Sequence, residues 1–369
     1  MPNETLHEKY IRDAVILSRN ENFEACVSWQ CPSNIALVKY WGKHGNQLPN
    51  NPSISLTLEK SRTETKVSVL TTKTGSEPTF TFLFEGHESP QFGKKVQDYL
   101  QELLPYLPFI AQLSFAIESR NTFPHSSGIA SSASSMSALA ACLLAIEQQI
   151  KGNYTSNIDL QKASFMARLG SGSAARSFFP YAAEWGFTAA INNSSDEIAL
   201  PLGQTLHPVF KTFHDSILII HGGVKSVSSR AGHALMETNP YAKQRYHEAN
   251  LNTTNLLNVL QTGDLEAFIR ITEAEAMQLH ALMMVSEPSF ILLQPNTLSA
   301  IAIIRNYRQR TAVPLCFTLD AGPNIHLLYP GQYREQVIEF LTNELLPLCH
   351  ERQWIDDKVG MGSSTISDF

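Results

Sequence analysis

Residues 124–133 combine residue types that suit the binding of an anion. They read Pro-His-Ser-Ser-Gly-Ile-Ala-Ser-Ser-Ala and lead directly into an alanine- and leucine-rich stretch, 134–146, that is typical of a helix. Small residues let a backbone approach a ligand closely, and the unpaired N–H groups at a helix N-terminus favour negative charge. The segment therefore predicts a phosphate cradle, with a serine-rich loop that only caps the helix as the alternative.

A second group of candidates lies in residues 33–43, Ser-Asn-Ile-Ala-Leu-Val-Lys-Tyr-Trp-Gly-Lys. An apolar strand is predicted to end here in Lys39 and Lys43. If the backbone stays extended, Lys39, Trp41 and Lys43 share one face and Tyr40 lies on the other. Lysine binds phosphate as a point charge. The alternative is a strand end with solvated lysines, although the aromatic pair between them is costly at an exposed edge.

Residues 170–177, Gly-Ser-Gly-Ser-Ala-Ala-Arg-Ser, place one arginine among glycines and hydroxyl groups. Arginine binds carboxylates and phosphates through two parallel hydrogen bonds, so Arg176 could hold an acidic substrate. The glycine spacing also fits a loose dinucleotide fingerprint. That fingerprint requires a preceding strand, whereas 162–169 has a helical pattern, and we therefore reject it.

Two further loops add cations and a carboxylate. Residues 222–232 follow a predicted strand and contain Lys225, Ser229 and Arg230, with a surface loop of no chemical role as the alternative. Residues 318–324, Thr-Leu-Asp-Ala-Gly-Pro-Asn, place Asp320 at a strand end. An aspartate there often only forms a turn. Set among cations, it would stay ionised and could take or orient a proton.

Composition excludes several functional classes. The net charge of −6 over 369 residues gives no field for nucleic acid, and no apolar run is long enough to span a bilayer. The five cysteines are scattered, which argues against zinc or disulfide frameworks, and no secretory signal begins the chain. No Walker A, Gly-x-Ser-x-Gly or His-Glu-x-x-His motif occurs. We expect a cytoplasmic protein that binds neither nucleic acid nor membrane.

The elements that position these residues follow from periodicity and turn signals. Strands are predicted at 53–58, 63–70, 79–84, 114–119, 216–221, 315–319 and 325–329, with strand and loop at 189–200. Helices are predicted at 9–17, 91–104, 134–149, 159–169, 239–261, 264–284, 295–310 and 333–346. A boundary near 200–212, with Pro201 and Pro208, divides the chain into two halves of α+β layers.

Taken together and in order, these clusters resemble the GHMP small-molecule kinase superfamily, and within it the diphosphomevalonate decarboxylases. The resemblance spans roughly residues 28–345, and Lys-Tyr-Trp-Gly-Lys and Asp-Ala-Gly-Pro-Asn are its most specific strings. It implies a two-domain α+β fold: an N-terminal extension, 1–27, an N-terminal α/β ATP-binding domain, 28–205, and a C-terminal ferredoxin-like domain, 206–369. The active site would lie in the cleft between the two domains.

The resemblance also implies the reaction and the site. ATP would phosphorylate the 3-hydroxyl of mevalonate 5-diphosphate, and loss of phosphate and carbon dioxide would give isopentenyl diphosphate.

Asp320 would face the 3-hydroxyl, Lys39 the transferring phosphoryl group, and Arg176 the substrate carboxylate, with Asn34 nearby. The diphosphate would be held by Tyr40, Lys43, Ser171, Ser173, Ser229 and Arg230. The ATP phosphates would be held by Ser127, Gly128, Ala130, Ser131 and Ser132. Lys225 would assist Lys39, Mg2+ would enter with ATP without a dedicated metal site, and the protein would be a homodimer.

Some residues depart from the family pattern. They are 44–49, which lack an arginine- and acid-rich turn, residues 51–55, and the extension 1–27. These departures leave the substrate's phosphorylation state open, and the alternative is a related small-molecule kinase or a phosphomevalonate decarboxylase. A metabolite sensor on the same fold would not need Asp320.

Overall fold

The computed structural model describes residues 4–18, 23–72, 75–124, 129–155, 157–223, 229–367 and 369, without the side chains of Ser229 and Arg230. These residues form mixed α+β layers around two main sheets, and the fold class predicted from the sequence is confirmed. None of the helices in this part of the chain is long and apolar enough to cross a bilayer.

The larger sheet, eight strands in the described residues, is built around one long strand, β4 (Ser53–Thr72). β4 pairs antiparallel with β1 (Cys26–Ala36) and β7 (Leu113–Asn121). Between Ser61 and Val69, every second residue of β4 is buried, as expected for a strand with one face on a core. The remaining strands of this half are β2 (Lys43–His44), β3 (Leu48–Pro49), β5 (Thr79–Phe84), β6 (His87–Glu88), β8 (Ala182–Trp185) and β9 (Ala199–Pro201).

Helix α4 (Ser131–Ile150) packs against β1 and β4 on one side and α5 (Leu160–Gly170) on the other. It is rich in alanine and leucine, and most of its residues are buried, as expected for a helix covered on several sides. This packing fixes the N-terminus of α4, where the predicted phosphate cradle begins. The other helices of this half are α1 (Leu6–Arg12), α2 (Pro90–Leu103) and α3 (Phe109–Gln112).

The second half forms a four-stranded antiparallel sheet in the order β11-β12-β10-β13 among the described residues. Its strands are β10 (His214–Leu218), β11 (Cys316–Thr318), β12 (Ile325–Tyr329) and β13 (Trp354–Lys358). Helix α9 packs on β11, and α8 packs on α9. The helices are α6 (Pro208–Lys211), α7 (Ser229–Ala234), α8 (Ala242–Thr262), α9 (Leu265–Met284), α10 (Pro295–Thr311) and α11 (Arg334–Phe340).

The two halves are joined by a shared apolar core and by the end of the chain. Ile54 and Leu56 at the start of β4 pack in one cluster with Phe210 and Phe268 of the second half. The last strand, β14 (Ser364–Thr365), returns to pair with β1 in the first sheet. The start of β4 and the end of β1 therefore lie at the junction, where the cleft forms.

The sequence predictions differ from the structure mainly in the strands. Segments 53–58 and 63–70 belong to one strand, which pairs with β1 on both sides of an irregularity between Pro32 and Asn34. The predicted helix 9–17 is instead Leu6–Arg12, which begins at a Thr5 capping box. The closing helix ends its regular α-helical part at Phe340, and β13 and β14 were not predicted.

Candidate active site

An ion pair between Lys39 and Asp320 lies at the centre of the cleft. Lys39 Nζ is 2.9 Å from Asp320 Oδ1, and the two residues are 281 positions apart in the sequence. The Lys39 side chain is 3% exposed, whereas that of Asp320 is 29% exposed. Burial lowers the pKa of Lys39, and the charge of Asp320 acts in the opposite direction. The accessible carboxylate can therefore meet a ligand while the buried ammonium stands behind it.

Lys39 corrects one sequence expectation. β1 ends at Ala36, so the segment that carries the lysine is not an extended strand, and Lys39 and Trp41 are both buried. The alternative of a strand end with solvated lysines is wrong for Lys39. Lys43 is partly buried, and its Nζ donates to Gln47 Oε1 at 2.8 Å.

Within the part of the chain that the structure describes, Arg176 is a buried cation whose guanidinium is hydrogen-bonded through Nη1 but not through Nε. It ends the short turn Gly172–Arg176, and its Nη1 donates to Ser53 Oγ, which in turn donates to the Val38 carbonyl at 2.6 Å. Burial lowers the pKa of Arg176 to about 10, so it remains charged at neutral pH. Among the described residues its Nε has no hydrogen-bond partner. A buried donor without a partner is costly, and a bound carboxylate would satisfy it.

Asn34 has a similar unpaired atom. Its Nδ2 donates to the Ser173 carbonyl at 3.2 Å and to Ser177 Oγ at 2.8 Å. Its Oδ1 is buried and has no partner within the described part of the chain. This oxygen can accept a hydrogen bond from a hydroxyl group but not from an ionised carboxylate.

Hydroxyl groups from two distant segments meet beside the N-terminus of α4. Ser171 Oγ lies 3.3 Å from Ser132 Oγ and 3.4 Å from Ser173 Oγ. Ala130 is the N-cap of α4 and supplies no side-chain cap, so the first N–H groups of the helix lack that partner. The arrangement provides hydroxyl and amide donors for an anion at a long helix's N-terminus.

Tyr40 is packed between aromatic groups of both halves. Its ring centroid is 4.9 Å from that of Trp185 and 4.6 Å from that of His233, which stacks on it from α7. A Cβ atom at Gly172 would lie 2.6 Å from Trp185, so glycine is needed for this loop to approach the ring. The guanidinium of Arg176 lies 5.9 Å from the Tyr40 ring. Tyr40 thus links the glycine-serine loop to the second half of the molecule.

A pocket beside the start of α4 is lined by both aromatic and polar side chains. Phe82, Phe84 and Phe92 form the apolar part, and Lys95 and Asn121 are among the polar residues. Ser131 and Ser132 line the same pocket, so it adjoins the candidate anion site. A pocket of this kind can take a flat heterocyclic ring next to its phosphate groups.

Several predicted residues lie outside the described structure. They are Ser127, Gly128 and Lys225, and the side chains of Ser229 and Arg230. In the part of the chain that the structure describes, no three His, Cys, Asp or Glu side chains are grouped as metal ligands. The structure brings together Asn34, Lys39, Tyr40, Arg176 and Asp320. Ser132, Ser171 and Ser173 form a second group, which contacts the first through the hydrogen bond from Asn34 to the Ser173 carbonyl.

Sequence analysis missed the residues that hold the candidate groups in place. Ser53 bonds Arg176, and His280 Nε2 donates to the Asp320 carbonyl at 3.1 Å. A buried histidine on α9 and a serine on an alternating strand carry no sequence signal for a partner 40 or 123 positions away.

Family models match most of the chain. A diphosphomevalonate decarboxylase-like N-terminal domain matches residues 31–197, and a mevalonate 5-diphosphate decarboxylase C-terminal domain matches residues 216–365. The chain is 30% identical over 335 residues to the diphosphomevalonate decarboxylase of Ganoderma lucidum, covering 84% of this chain and 80% of that protein.

Solved structures give the same similarity in three dimensions. The mevalonate diphosphate decarboxylase from Staphylococcus aureus superposes with a TM-score of 0.80 at 29% identity, covering 94% of this chain and 99% of that one. A structure of MDDEF in complex with MVAPP, AMPPCP and magnesium has a TM-score of 0.77 at 29% identity, covering 93% and 99% of the two chains. The similarity therefore extends across both halves and the cleft.

Proposed function

Because the chain belongs to the diphosphomevalonate decarboxylase family, it is an enzyme that uses ATP to decarboxylate mevalonate 5-diphosphate, and we propose that the cleft around Lys39, Arg176 and Asp320 is its active site. The Lys39–Asp320 pair carries this proposal. It places an accessible carboxylate 2.9 Å from a buried ammonium, at the meeting point of the two halves.

The reaction sets the demands on these residues. The 3-hydroxyl oxygen accepts the terminal phosphoryl group of ATP and loses its proton, leaving ADP. The bond between C3 and that oxygen then breaks, and phosphate leaves with the electron pair. The bond to the carboxylate carbon breaks next, its electrons form the carbon–carbon double bond of isopentenyl diphosphate, and carbon dioxide departs. Hydroxide is a poor leaving group and phosphate a good one, which is why ATP is consumed.

Asp320 is proposed to orient the 3-hydroxyl and receive its proton. The phosphoryl-transfer transition state is loose, so the proton need not leave before the phosphoryl group arrives. Lys39 then offsets the negative charge that grows on the transferring group, an effect that is strong in a site with little water. Lys39 Nζ and Asp320 Oδ1 are already in hydrogen-bond contact, so little rearrangement of these two side chains is needed.

Arg176 is proposed to bind the substrate carboxylate through its unpaired Nε. Asn34 Oδ1, the second unpaired atom, suits the 3-hydroxyl as a hydrogen-bond donor. If Arg176 keeps the carboxylate ionised until phosphate has left, decarboxylation remains the last step of the reaction. Tyr40, Lys43, Ser171, Ser173, Ser229 and Arg230 are proposed to bind the diphosphate.

ATP fits the groups present. The N-terminus of α4 and the hydroxyls of Ser131 and Ser132 suit its phosphates, and the aromatic pocket beside them suits its base. Ala130, Ser127 and Gly128 are proposed to contribute to the same phosphate site. Magnesium, carried by the phosphate oxygens and met by serine hydroxyls, would neutralise part of their charge.

The domain boundaries, assembly and compartment are also proposed. We place the extension at 1–27, the ATP-binding domain at 28–205 and the second domain at 206–369, supported by the change of sheet after β9. A homodimer is supported by the family resemblance, and sedimentation tests it. A cytoplasmic location is supported by five cysteines, all in the described residues and all free.

The test measures ADP and carbon dioxide together, with purified enzyme, ATP, magnesium and mevalonate 5-diphosphate. One carbon dioxide per ADP is the expected result. ADP without carbon dioxide would contradict the decarboxylase and indicate a kinase. Parallel reactions with mevalonate and its 5-phosphate identify the substrate, and activity with the monophosphate alone would overturn the proposed diphosphate site.

A further inference from the structure

Arg245 of α8 and Glu275 of α9 form a buried ion pair that has no place in the reaction described above. Arg245 Nη2 lies 2.5 Å from Glu275 Oε2, and the two side chains are 2% and 0% exposed. Other atoms of the pair are also bonded: Asn252 Nδ2 donates to Glu275 Oε1 at 2.7 Å, and Arg245 Nη1 donates to Gln278 Oε1 at 2.8 Å, while Arg245 Nε has no partner among the described residues. Removing two charges from water is costly, so a buried pair of this kind is weak evidence for a role in stability.

The pair binds both polar groups of the Lys39 backbone. Glu275 Oε2 accepts the Lys39 N–H at 2.9 Å, and Arg245 Nη2 donates to the Lys39 carbonyl at 2.6 Å. The carbonyl also accepts from Asn51 Nδ2 at 3.1 Å. Lys39 lies beyond the end of β1, so no strand ladder fixes its backbone. Two helices of the second half do so instead.

Helix α9 also holds the other member of the central pair. Five residues after Glu275, His280 donates through Nε2 to the backbone carbonyl of Asp320. The backbones of Lys39 and Asp320 are therefore both anchored to one helix. A helix is stiff over this length, so α9 can set the separation between the ammonium and the carboxylate.

We propose that Arg245 and Glu275 are a positioning pair that holds the backbone of Lys39, and thereby its ammonium, at the distance from Asp320 that phosphoryl transfer requires. This inference rests on the proposed function of Lys39. Misplacement by about an ångström costs an active site up to two orders of magnitude in rate. The pair acts through Lys39 and does not touch the reacting groups.

Glu275 has a second effect on Lys39, through its charge. Burial lowers the pKa of Lys39, and the negative charge of Glu275 acts with Asp320 to raise it. Among the described residues, the charged or titratable groups that interact with Lys39 are Asp320, Glu275, Arg245, Arg176, His280 and Asp215. If protonated Lys39 is required, activity is lost as pH rises through its pKa. Removing the Glu275 charge lowers that pKa, so the alkaline limb of the rate profile should move to lower pH.

The experiment compares E275Q and the paired replacement R245M/E275L with wild type. The paired variant removes both charges together, which avoids leaving one buried charge uncompensated. For both we expect kcat to fall at least tenfold, while the affinity for a fluorescent ATP analogue changes less than threefold. In E275Q the alkaline limb of the kcat profile should also shift to lower pH. Circular dichroism establishes that each variant is folded.

The control is E273Q, on the same helix. Glu273 lies 2.5 Å from Arg308 and 3.1 Å from Arg305, and within the described part of the chain it forms no hydrogen bond or ion pair with the cleft groups. A general weakening of α9 would lower kcat in E273Q as well, whereas positioning of Lys39 predicts wild-type kcat and an unshifted profile. A folded R245M/E275L variant with wild-type kcat would overturn the inference, as would an equal loss in E273Q. Wild type in the same assay reports on the proposed function separately, because carbon dioxide release there does not depend on either variant.

Discussion

Asp320 and Lys39 each depend on the other at the scale of single residues. A lysine as buried as Lys39 tends to lose its proton, because its charged form is poorly solvated. The neighbouring carboxylate opposes this tendency, and Asp320 itself remains accessible to a ligand. This one contact therefore opposes the loss of the Lys39 proton and presents a carboxylate to the cleft.

Replacing Asp320 by Asn should remove the base and weaken the charge balance of Lys39 without altering the helix N-terminus where ATP binds. We expect kcat to fall by about 10²- to 10⁴-fold, the range for loss of a general acid or base. The Kd for ATP, measured by titration calorimetry, should change less than about threefold, because ATP is held mainly by other groups. Turnover equal to that of wild type would remove Asp320 from its proposed role.

The sequence indicated the residues that we propose take part in the reaction, but not those that hold them in place. Lys39, Arg176 and Asp320 stood out because cations and a carboxylate sit among glycines and aromatics in short strings. Ser53 and Glu275 did not, because each is an ordinary residue of a strand or helix. Their importance comes only from contacts made 123 and 236 positions away, after the two halves have packed together.

At the scale of secondary-structure elements, His233 fixes the short helix α7 against the loop that carries Tyr40 and Trp41. From α7 it stacks on Tyr40 and packs against Trp41, with ring centroids 4.6 Å away in each case. Its Nδ1 accepts the Gly42 N–H at 3.0 Å, so it must be neutral at that nitrogen. Burial lowers the pKa of His233 to about 3. The ring therefore joins α7 to the lysine-bearing loop only while it is unprotonated.

Acid should weaken the fold through this histidine. The pKa of His233 is lower in the folded protein than in the unfolded chain, so the unfolded chain binds the proton first as pH falls. The contribution of His233 to stability is present above about pH 6.5 and is lost progressively toward pH 3. Between pH 7 and pH 5 the loss from His233 should be roughly 2 kcal/mol.

Urea unfolding of wild type and H233Q at pH 7 and pH 5 measures this loss. We expect the decrease in unfolding free energy to be smaller in H233Q by about 2 kcal/mol, because glutamine does not titrate. H247Q, at an exposed position of α8, is the matched control and should behave as wild type at both pH values. An identical pH dependence in H233Q and wild type would refute the assignment.

Helix α1 shows that the extension before the matched region packs into the fold. Tyr10 is 2% exposed and meets Phe165 edge-on, with ring centroids 5.1 Å apart. His7 Nδ1 bonds Tyr106 Oη at 2.7 Å, and the backbone of Leu17 exchanges two hydrogen bonds with the Gln112 side chain. The described residues of the extension therefore pack against the core of the first half.

Tyr10 should contribute through its ring and not through its hydroxyl. Y10A should lower the unfolding free energy by about 3–5 kcal/mol, the usual cost of removing a buried aromatic ring. The buried hydroxyl has no partner in the described residues, so Y10F should be neutral or slightly stabilising. Urea unfolding of the two variants makes the comparison, and a large loss in Y10F would show that the hydroxyl matters after all.

Helices were easier to predict than strands at this scale. The helices over 264–284 and 295–310 were predicted within a residue of α9 and α10, because Asp264 is a typical N-cap and Pro295 a typical first helical residue. β13 and β14 were missed because their few residues form strands only by pairing with β10 and β1. Such pairing depends on distant partners that local pattern does not reveal.

Asp357 joins the two halves at the scale of the whole molecule. It lies on β13 of the second sheet with a fully buried side chain, and its oxygens accept three backbone N–H groups of β4 in the first sheet. These are Glu59 at 3.0 Å, Lys60 at 2.7 Å and Ser61 at 2.7 Å. Close by, the Gly360 N–H bonds the Thr57 carbonyl at 2.9 Å, which continues the junction.

D357N should therefore weaken the whole molecule rather than one half. An amide NH2 cannot accept the N–H groups that the carboxylate accepts, so at least one buried donor loses its partner. We expect the unfolding free energy to fall by about 2–4 kcal/mol, since hydrogen bonds to a charged acceptor are strong and buried unpaired donors are costly.

Asp356, next to Asp357, is 27% exposed and bonds the side chains of Lys60 and Arg334, so D356N should lower the unfolding free energy by less than about 1 kcal/mol. Urea unfolding followed by tryptophan fluorescence, which reports on Trp29, Trp41 and Trp185 in the first half and on Trp354 in the second, distinguishes the two variants. Equal losses in both would mean that the halves are held together by their shared apolar core and not by this carboxylate.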